Sequence, residues 1–349
     1  MDYAPKLSTL TKCLVERGLF AQEPFTLIDV GCGGGISRCW RTFAGSLRAL
    51  GIDPRISECQ RLQANEGNPQ VTYTPAFVRL PATHPFRVQR GDRSPWGGNP
   101  WERTSPARAM AILQERTAKE NRASELNAWQ EDELADNTAC KTLDQLVDMH
   151  RLQDVDAIKI DVDGLDLEVL HSAAATLRRC PVLCCVLEVN FFGTNDPTDH
   201  SFHNMDRFMR AQGFELFDLS TRRCSSVALP APFRSDGAPH ETLFGRIVQG
   251  DALYLRDPCG WKATSFSPVT LTPIKLLKLA CVFELFNLPD QAAELLRDYA
   301  DEVKPLVEAK PLLDLLANEL DPRTESYDLY LRGFLDDPTS FYPSRRPIR

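Results

Sequence analysis

Apolar positions recur along most of the chain at two spacings. Leu7, Leu10, Leu14 and Val15 follow the helical spacing, and Gly18 supplies a stop, so residues 7–20 read as a helix. "FTLIDV" (25–30) is a short apolar run of the kind that makes a buried strand. After the glycines that follow it, Trp40, Phe43, Leu47 and Leu50 again have helical spacing, and "GIDP" (51–54) is a short strand ending in Asp53. Strand, helix and strand in succession form a βαβ unit, whose crossover is right-handed. "VTYTPAFV" (71–78) adds a third strand. The alternation returns with a helix at 142–150, a strand at 156–162 and a helix at 165–180. It continues with a strand at 182–190, a helix at 202–212 and strands at 214–220 and 251–257. The 182–190 run, "VLCCVLEVN", is apolar nearly throughout, as a strand covered on both faces must be. The pattern predicts an α/β domain with about seven strands in a mostly parallel sheet.

Two regions depart from this rhythm. Residues 80–140, after the third strand, form a long insertion. Pro and Gly crowd "GDRSPWGGNPW" (91–101), and a highly charged helical stretch covers roughly 106–134. An excursion of this length inside an α/β domain is usually functional or disordered, and a lid is one reading. From about 268 the strands give way to helices, with a hairpin broken at Pro289 and more helix to about 335. The expected organisation is a sheet domain over 1–265, a helical extension over 266–335 and a Pro- and Arg-rich tail over 336–349. In the hairpin, Leu276, Leu277, Ala280 and Phe283 share a helical face that reads as core or as a surface for a second copy of the chain.

Composition narrows the function classes. The chain has 349 residues, 43% hydrophobic and 25% charged, enough to bury a sizeable core. A net charge of −8 argues against nucleic acid as the partner, since its binders carry basic stripes. The eleven cysteines include no C-x-x-C pair and read as reduced thiols of a cytoplasmic protein. "MDYAPKLSTL" has neither the basic nor the apolar region of a signal peptide, and no apolar stretch is long enough to span a membrane.

The candidate chemistry begins at "LIDVGCGGGISRCW" (27–40). A phosphate-binding P-loop needs G-x-x-x-x-G-K-[ST], and no Lys or Thr follows here. A dinucleotide loop, G-x-G-x-x-G, needs a third glycine where Ile36 stands. The spacing found, Asp29-x-Gly31-x-Gly33-x-Gly35, resembles the first motif of class I methyltransferases that use S-adenosyl-L-methionine (SAM). Glycines would let the flat cofactor approach bare backbone, and Asp53 at the next strand end would accept hydrogen bonds from ribose hydroxyls. The alternative is that the glycines only make a tight turn.

"DAIKIDVDGLDLEVLHSA" (156–173) resembles the signature of FkbM-type methyltransferases, close to K-I-D-V-E-G-x-E-x-x-V-L. Lys159, Ile160, Asp161, Val162 and Gly164 match it, while Asp163 and Asp166 stand where the family has Glu more often. "TLDQL" (142–146) and "VLEVN" (186–190) fit as well. The resemblance covers roughly 25–257 and leaves 268–349 outside. It implies a Rossmann-like sheet, SAM as methyl donor, and an oxygen acceptor on a sugar, polyketide or related natural product. It maps Asp29, Gly31, Gly33, Gly35 and Asp53 to cofactor binding, and Asp161 to the acid at the end of the fourth strand.

Open parallel sheets bind ligands beyond the carboxyl ends of their strands, and Asp29, Asp53, Asp161 and Glu188 all lie at such ends. Four acids at one rim are costly unless something cationic or polar meets them. Glu188, Asn190 and Trp96 are the candidate acceptor contacts, although Glu188 is equally readable as the partner of a Lys or Arg. Asp163 reads as a cap for the following helix. Asp161, His200 or His203 is the candidate general base. The two histidines stand three apart and would share a helix face. His-x-x-His with Asp199 or Asp161 is too sparse a set to assign a metal. The sequence therefore reads as a cytoplasmic SAM-dependent O-methyltransferase of FkbM type, acting on a small-molecule or glycan acceptor. The rivals are a non-catalytic binding protein on the same fold and a NAD-dependent oxidoreductase. The C-terminal helices are the expected route to a homo-oligomer.

Overall fold

The protein is seen here in a computed structural model. It describes residues 5–87, 140–162, 164–193, 195–225, 234–235, 238–241, 245–259 and 271–338. The expectations for Trp96, the charged helix at 106–134, Asp163 and the tail from 339 onward fall outside the described residues. The chain divides into two compact units, one of residues 26–36 and 48–257 and the other of 1–25, 37–47 and 258–349.

The first unit is built on the sheet. Its strands are β1 (Phe25–Val30), β2 (Leu47–Asp53), β3 (Val71–Pro75), β4 (Ala157–Ile160), β5 (Cys184–Asn190), β6 (Glu215–Ser225), β7 (Arg234–Ser235), β8 (Ala238–Glu241) and β9 (Arg246–Leu255). They lie in the order β3-β2-β1-β4-β5-β9-β6-β8-β7. β2 with β3, β1 with β4 and β4 with β5 pair parallel. The first five positions repeat the order of a Rossmann-like sheet, which reverses direction between β1 and β4. The seven expected strands are β1 to β6 and β9, and β7 and β8 add two short ones at the far edge. β9 runs antiparallel between β5 and β6, in register from Cys184↔Leu255 to Asn190↔Gln249. β6 runs past its expected end to Ser225 through the polar residues 221–223, and β9 begins at Arg246, before its expected start.

Helices α3 (Ile56–Ala64), α4 (Leu143–Met149), α5 (Asp166–His171), α6 (Ala174–Arg179) and α7 (Phe202–Ala211) belong to this unit. α4 starts with a capping box: Thr142 Oγ1 accepts the Gln145 N–H and Gln145 Oε1 accepts the Thr142 N–H. The single helix expected over 165–180 is two, split at Ser172. The Ser172 carbonyl accepts the Asp144 N–H and its hydroxyl oxygen the Leu143 N–H, so the break supplies acceptors to the start of α4. Ile28, Val30, Leu50, Ile158, Ile160, Leu187 and Tyr254 are among the buried residues of the core.

The helix expected after the glycines is also corrected. Only Arg38–Arg41 is α-helical (α2), a 3-10 turn covers Ala44–Ser46, and Leu47 already belongs to β2. Ala44 sits at φ 48° and Gly45 follows, which ends any helix there. Leu47 and Leu50 have helical spacing only because β2 is apolar on both faces.

The second unit is helical: α1 (Thr9–Glu16), α8 (Pro273–Leu285), α9 (Pro289–Asp298), α10 (Ala300–Val303), α11 (Ala309–Leu320) and α12 (Tyr327–Asp336), with residues 37–47. Asn287 at φ 59° and Pro289 at the first position of α9 separate the two hairpin helices. Leu276, Leu277, Ala280 and Phe283 are core, at 2% exposure or less. α8 is buried all round, including Lys278 and Glu284. Lys278 Nζ meets Glu23 Oε1 at 3.1 Å and the Pro24 carbonyl at 3.0 Å. Glu284 caps α1, accepting the N–H groups of Leu10 and Thr11 and the Thr11 hydroxyl at 2.6–2.8 Å. Burial pushes the Glu284 carboxyl up to about 7, against the pull of the Thr11 hydrogen bonds. Phe25 stacks on Phe43 and Trp40, and Trp40 meets Phe286 edge-on. Among the described residues, no helix is long and apolar enough to cross a membrane.

Candidate functional site

β1 stops at Val30 because the chain turns at Gly31, at φ 82°. The N–H groups of Gly31 and Cys32 both donate to the Ile52 carbonyl, at 2.8 and 3.2 Å, which ties the loop to the end of β2. A Cβ on Gly31 would overlap the Asp161 carbonyl oxygen, so no other residue fits. Gly33 is bare for another reason. The Arg55 guanidinium lies 2.5 Å from where its Cβ would stand. Gly34 and Gly35 are also left-handed, at φ 87° and 97°. Gly34, which the spaced motif passes over, donates its N–H to Glu58 Oε1 at 2.9 Å.

The acids at the rim have cationic partners within the protein. Asp53 is 5% exposed, and Arg55 holds both its oxygens: Nε donates to Oδ1 at 2.9 Å and Nη2 to Oδ2 at 3.1 Å. Asp29 is 1% exposed and sits opposite Lys159 in the β1–β4 register. Lys159 Nζ donates to Asp29 Oδ1 at 3.1 Å and lies 3.5 Å from Asp161 Oδ2. Burial raises the Asp29 pKa, with Lys159 pulling it back. Burial works against the Lys159 charge, but Asp29 and Asp161 outweigh it and the pKa rises. Asp161 keeps a part-exposed carboxylate at the end of β4, with 29% of its side chain accessible.

Glu188 has the cationic partner that was one of its two readings. On β5 it faces Asp251 of β9, and Arg222 of β6 spans both, 3.5 Å from Glu188 Oε1 and 3.3 Å from Asp251 Oδ2. Gln249 Nε2 donates to the same Glu188 oxygen at 2.6 Å. Burial pushes the Asp251 carboxyl up, and Arg222 pulls it down. Like charges directly opposite across strands repel, which explains an arginine between them. Asn190 is the last residue of β5, opposite Gln249.

Asp166, the first residue of α5, is fully buried. Its carboxylate accepts the N–H groups of Val162 and Gly164 at 3.1 and 3.0 Å, fixing the turn after β4. His200 Nε2 lies 3.7 Å from Asp166 Oδ2. Burial raises the Asp166 pKa and lowers that of His200, each opposed by the other's charge. The expected shared face of His200 and His203 does not form. His200 precedes the extended Ser201 and turns inward, whereas His203 lies on the exposed side of α7, its ring 3.4 Å from Ser201 Oγ. Asn204 Nδ2 donates to the carbonyls of Asp196 and Asp199, which holds this loop in place.

Sequence reasoning missed Arg55, Arg222, Gln249, Asp251 and Glu168. The carboxylate of Glu168 is buried between Arg79 and Arg87 and accepts the Leu80 N–H, so it anchors the chain where the long insertion begins. Of these, only Arg55, two residues after Asp53, carried a local signal. Arg222, Gln249 and Asp251 depend on strand register, and Glu168 on the packing of α5 against the chain after β3.

No curated protein matches the chain. Among solved structures, similar ones include a precorrin-6y C5,15-methyltransferase from Geobacter metallireducens, at 10% identity over 70% of this chain and 86% of that one, with a TM-score of 0.31. A magnesium protoporphyrin IX methyltransferase from Synechocystis with bound SAM is similar at 8% identity, covering 71% and 80%, with a TM-score of 0.28. A SAM-dependent methyltransferase from Aquifex aeolicus is similar at 11% identity, covering 72% and 91%, with a TM-score of 0.29. The family model described as the methyltransferase FkbM domain matches residues 86–216, which contain the K-I-D-V-D-G block, β5 and the His200 loop. On that match, this segment of the chain resembles the FkbM type of class I methyltransferase.

Proposed function

We propose that the protein is a cytoplasmic SAM-dependent O-methyltransferase that acts on a hydroxyl of a sugar, a glycan-linked molecule or another natural product. The observation that carries the reading is the bare-backbone loop from Gly31 to Gly35 at the carboxyl end of β1, beside the Asp53 carboxylate at the end of β2. The residues present fit the cofactor. Gly31 and Gly35 pack against Asp161 and against Leu62 and Tyr73, so they bring the loop backbone to the rim, and the space beside Gly33 is filled by the movable end of Arg55, which a ligand can displace. Gly31, Gly33 and Gly35 would line the cofactor, and Asp53 would exchange Arg55 for the ribose hydroxyls. Asp29 would act from behind the loop, since Lys159 occupies it.

Bound SAM supplies a methyl group already activated on a sulfonium. The chain's part is then to hold the acceptor oxygen in line and to take its proton. Positioning of this kind supplies up to about 7–11 kcal/mol in favourable cases. Asp161 is the base in this reading, supported by its position at the end of β4, its part-exposed carboxylate and the Lys159 ammonium 3.5 Å away. General base catalysis contributes about 10²–10⁴-fold. Glu188 and Asn190 at the end of β5 are the acceptor contacts, with Arg222 and Gln249 orienting Glu188. His200, buried beside Asp166, and the exposed His203 are weaker candidates for the base than Asp161.

The test is calorimetric titration with S-adenosylhomocysteine, followed by turnover of methyl-labelled SAM over a panel of glycans and hydroxylated natural products. Binding that disappears in Asp53→Ala, and label transfer that disappears in Asp161→Asn while binding persists, are the expected results. No heat from the folded wild type sinks the cofactor assignment. Binding without transfer to any acceptor favours the non-catalytic alternative.

A further inference from the structure

Three segments that are separate in sequence bring metal-binding donors to one point. Asp166 opens α5, Glu188 stands on β5, and His200 ends the loop before α7. A ligand atom from each lies within 4.8 Å of the other two. Metal bonds of about 2.1 Å place the donors around one ion within roughly 4.2 Å of one another, so a small inward shift completes the set. Two carboxylates alone would be an acidic cluster, which the fold explains by other means. The independent observation is His200. Its side chain is only 7% exposed, and neither ring nitrogen makes a hydrogen bond among the described residues. Buried imidazoles are almost always hydrogen-bonded. At 3.7 Å, its Nε2 stands too far from Asp166 Oδ2 for a hydrogen bond and too near for an intervening side chain. An ion between the two resolves both facts.

The surroundings fit as well. Metal-binding carboxylates are themselves held by outer partners. Here Asp166 accepts the N–H groups of Val162 and Gly164, and Glu188 accepts from Gln249. We propose that Asp166, Glu188 and His200 bind one divalent transition-metal ion. One imidazole nitrogen with two carboxylates suits Mn²⁺, Fe²⁺ or Zn²⁺, and Mg²⁺ less well because it prefers oxygen and retained water. Three protein ligands leave coordination positions for water or an acceptor hydroxyl. The site stands without the methyl-transfer reading, and its test needs no SAM.

The intact chain, stripped with a chelator and repurified, is titrated with Mn²⁺ while the free ion is followed by electron paramagnetic resonance. Zn²⁺ then competes. One ion per chain is expected, with affinity reduced at least tenfold in His200→Gln and in Glu188→Gln and unchanged in His203→Gln. The ion is also expected to raise the melting temperature of the wild type and not of the first two variants. Asp166 is left intact because its loss would also release the backbone of Val162 and Gly164. Circular dichroism establishes that each variant is folded, and either of the first two suffices for the test. Absence of stoichiometric binding of both ions by the folded wild type overturns the proposal. So does binding that His200→Gln and Glu188→Gln leave unchanged, which would place the ion elsewhere. Neither result bears on S-adenosylhomocysteine binding, so the two readings fail separately.

Discussion

Replacing Lys159 by Met tests the electrostatics of the central strands. The side chain keeps its length and loses its charge, leaving Asp29 at 1% exposure without its ammonium partner at 3.1 Å. Breaking a buried pair from one side costs about 3–5 kcal/mol. The carboxyl has an escape, which is to take up a proton. From a reference pKa of 3.8, staying neutral at pH 7 costs about 4.4 kcal/mol, and at pH 5 about 1.6 kcal/mol. The folded variant therefore holds a proton that its unfolded chain releases, so its penalty grows as pH rises above 3.8. The expected loss in urea unfolding of the full chain is about 4 kcal/mol at pH 7 and less than half of that at pH 5. Adding Asp29→Asn to Lys159→Met should recover most of it, because no buried charge then remains. A loss below about 1 kcal/mol, an equal loss at both pH values, or a double variant no better than the single would refute the argument.

Gly31→Ala places a methyl group on the Asp161 carbonyl at a left-handed position, costing about 1–2 kcal/mol from handedness alone. S-adenosylhomocysteine binding should be lost with it, whereas Gly45→Ala, where a Cβ meets nothing within 4 Å, should bind normally in the same titration. Arg55→Ala frees both oxygens of Asp53, so the dissociation constant for S-adenosylhomocysteine should fall; a rise would make Arg55 part of the binding surface. Glu284 has a folded pKa of about 7 against a reference of 4.5, so the folded state holds the extra proton between those values. Stability should decline as pH rises through that window, and Glu284→Gln should flatten the decline when melting temperatures are compared at pH 5 and pH 8.

What the sequence made legible follows the range of the interactions concerned. Apolar runs located all seven principal strands, because a buried strand is recognisable from its own residues. The glycine loop and Asp53 were visible for the same reason. The helix drawn through Leu47 and Leu50 failed because a strand apolar on both faces satisfies helical spacing by accident. The two histidines failed because Ser201 is extended, a local backbone state that a three-residue spacing does not encode. The cost of four acids at one rim is legible in the sequence, with a bound ligand as the expected remedy and a Lys or Arg as the alternative for Glu188, and in the structure Lys159, Arg55 and Arg222 are the partners. In the sequence Lys159 is only a match to the motif. Its pairing with Asp29 comes from the register of β1 on β4, which no single segment contains. Arg222 was hidden likewise, on a stretch of β6 too polar to read as strand. Asp166 stands where Glu is more common, and nothing local in the sequence encodes its complete burial at the start of α5.

The helical unit draws on both ends of the chain, and Glu284 reaches back across 274 positions to cap Leu10. A ribosome adding about 5–20 residues per second needs roughly 14–55 s to cover that gap. Throughout synthesis of the intervening sequence, the α1 cap has no carboxylate and the aromatic stack around Trp40 lacks Phe286. These early segments must wait for residues 284–286, so this unit cannot mature until long after its first helix has been made. Shortening the carboxyl end would then harm the beginning of the chain, exposing greasy surface to chaperones and proteases far from the cut.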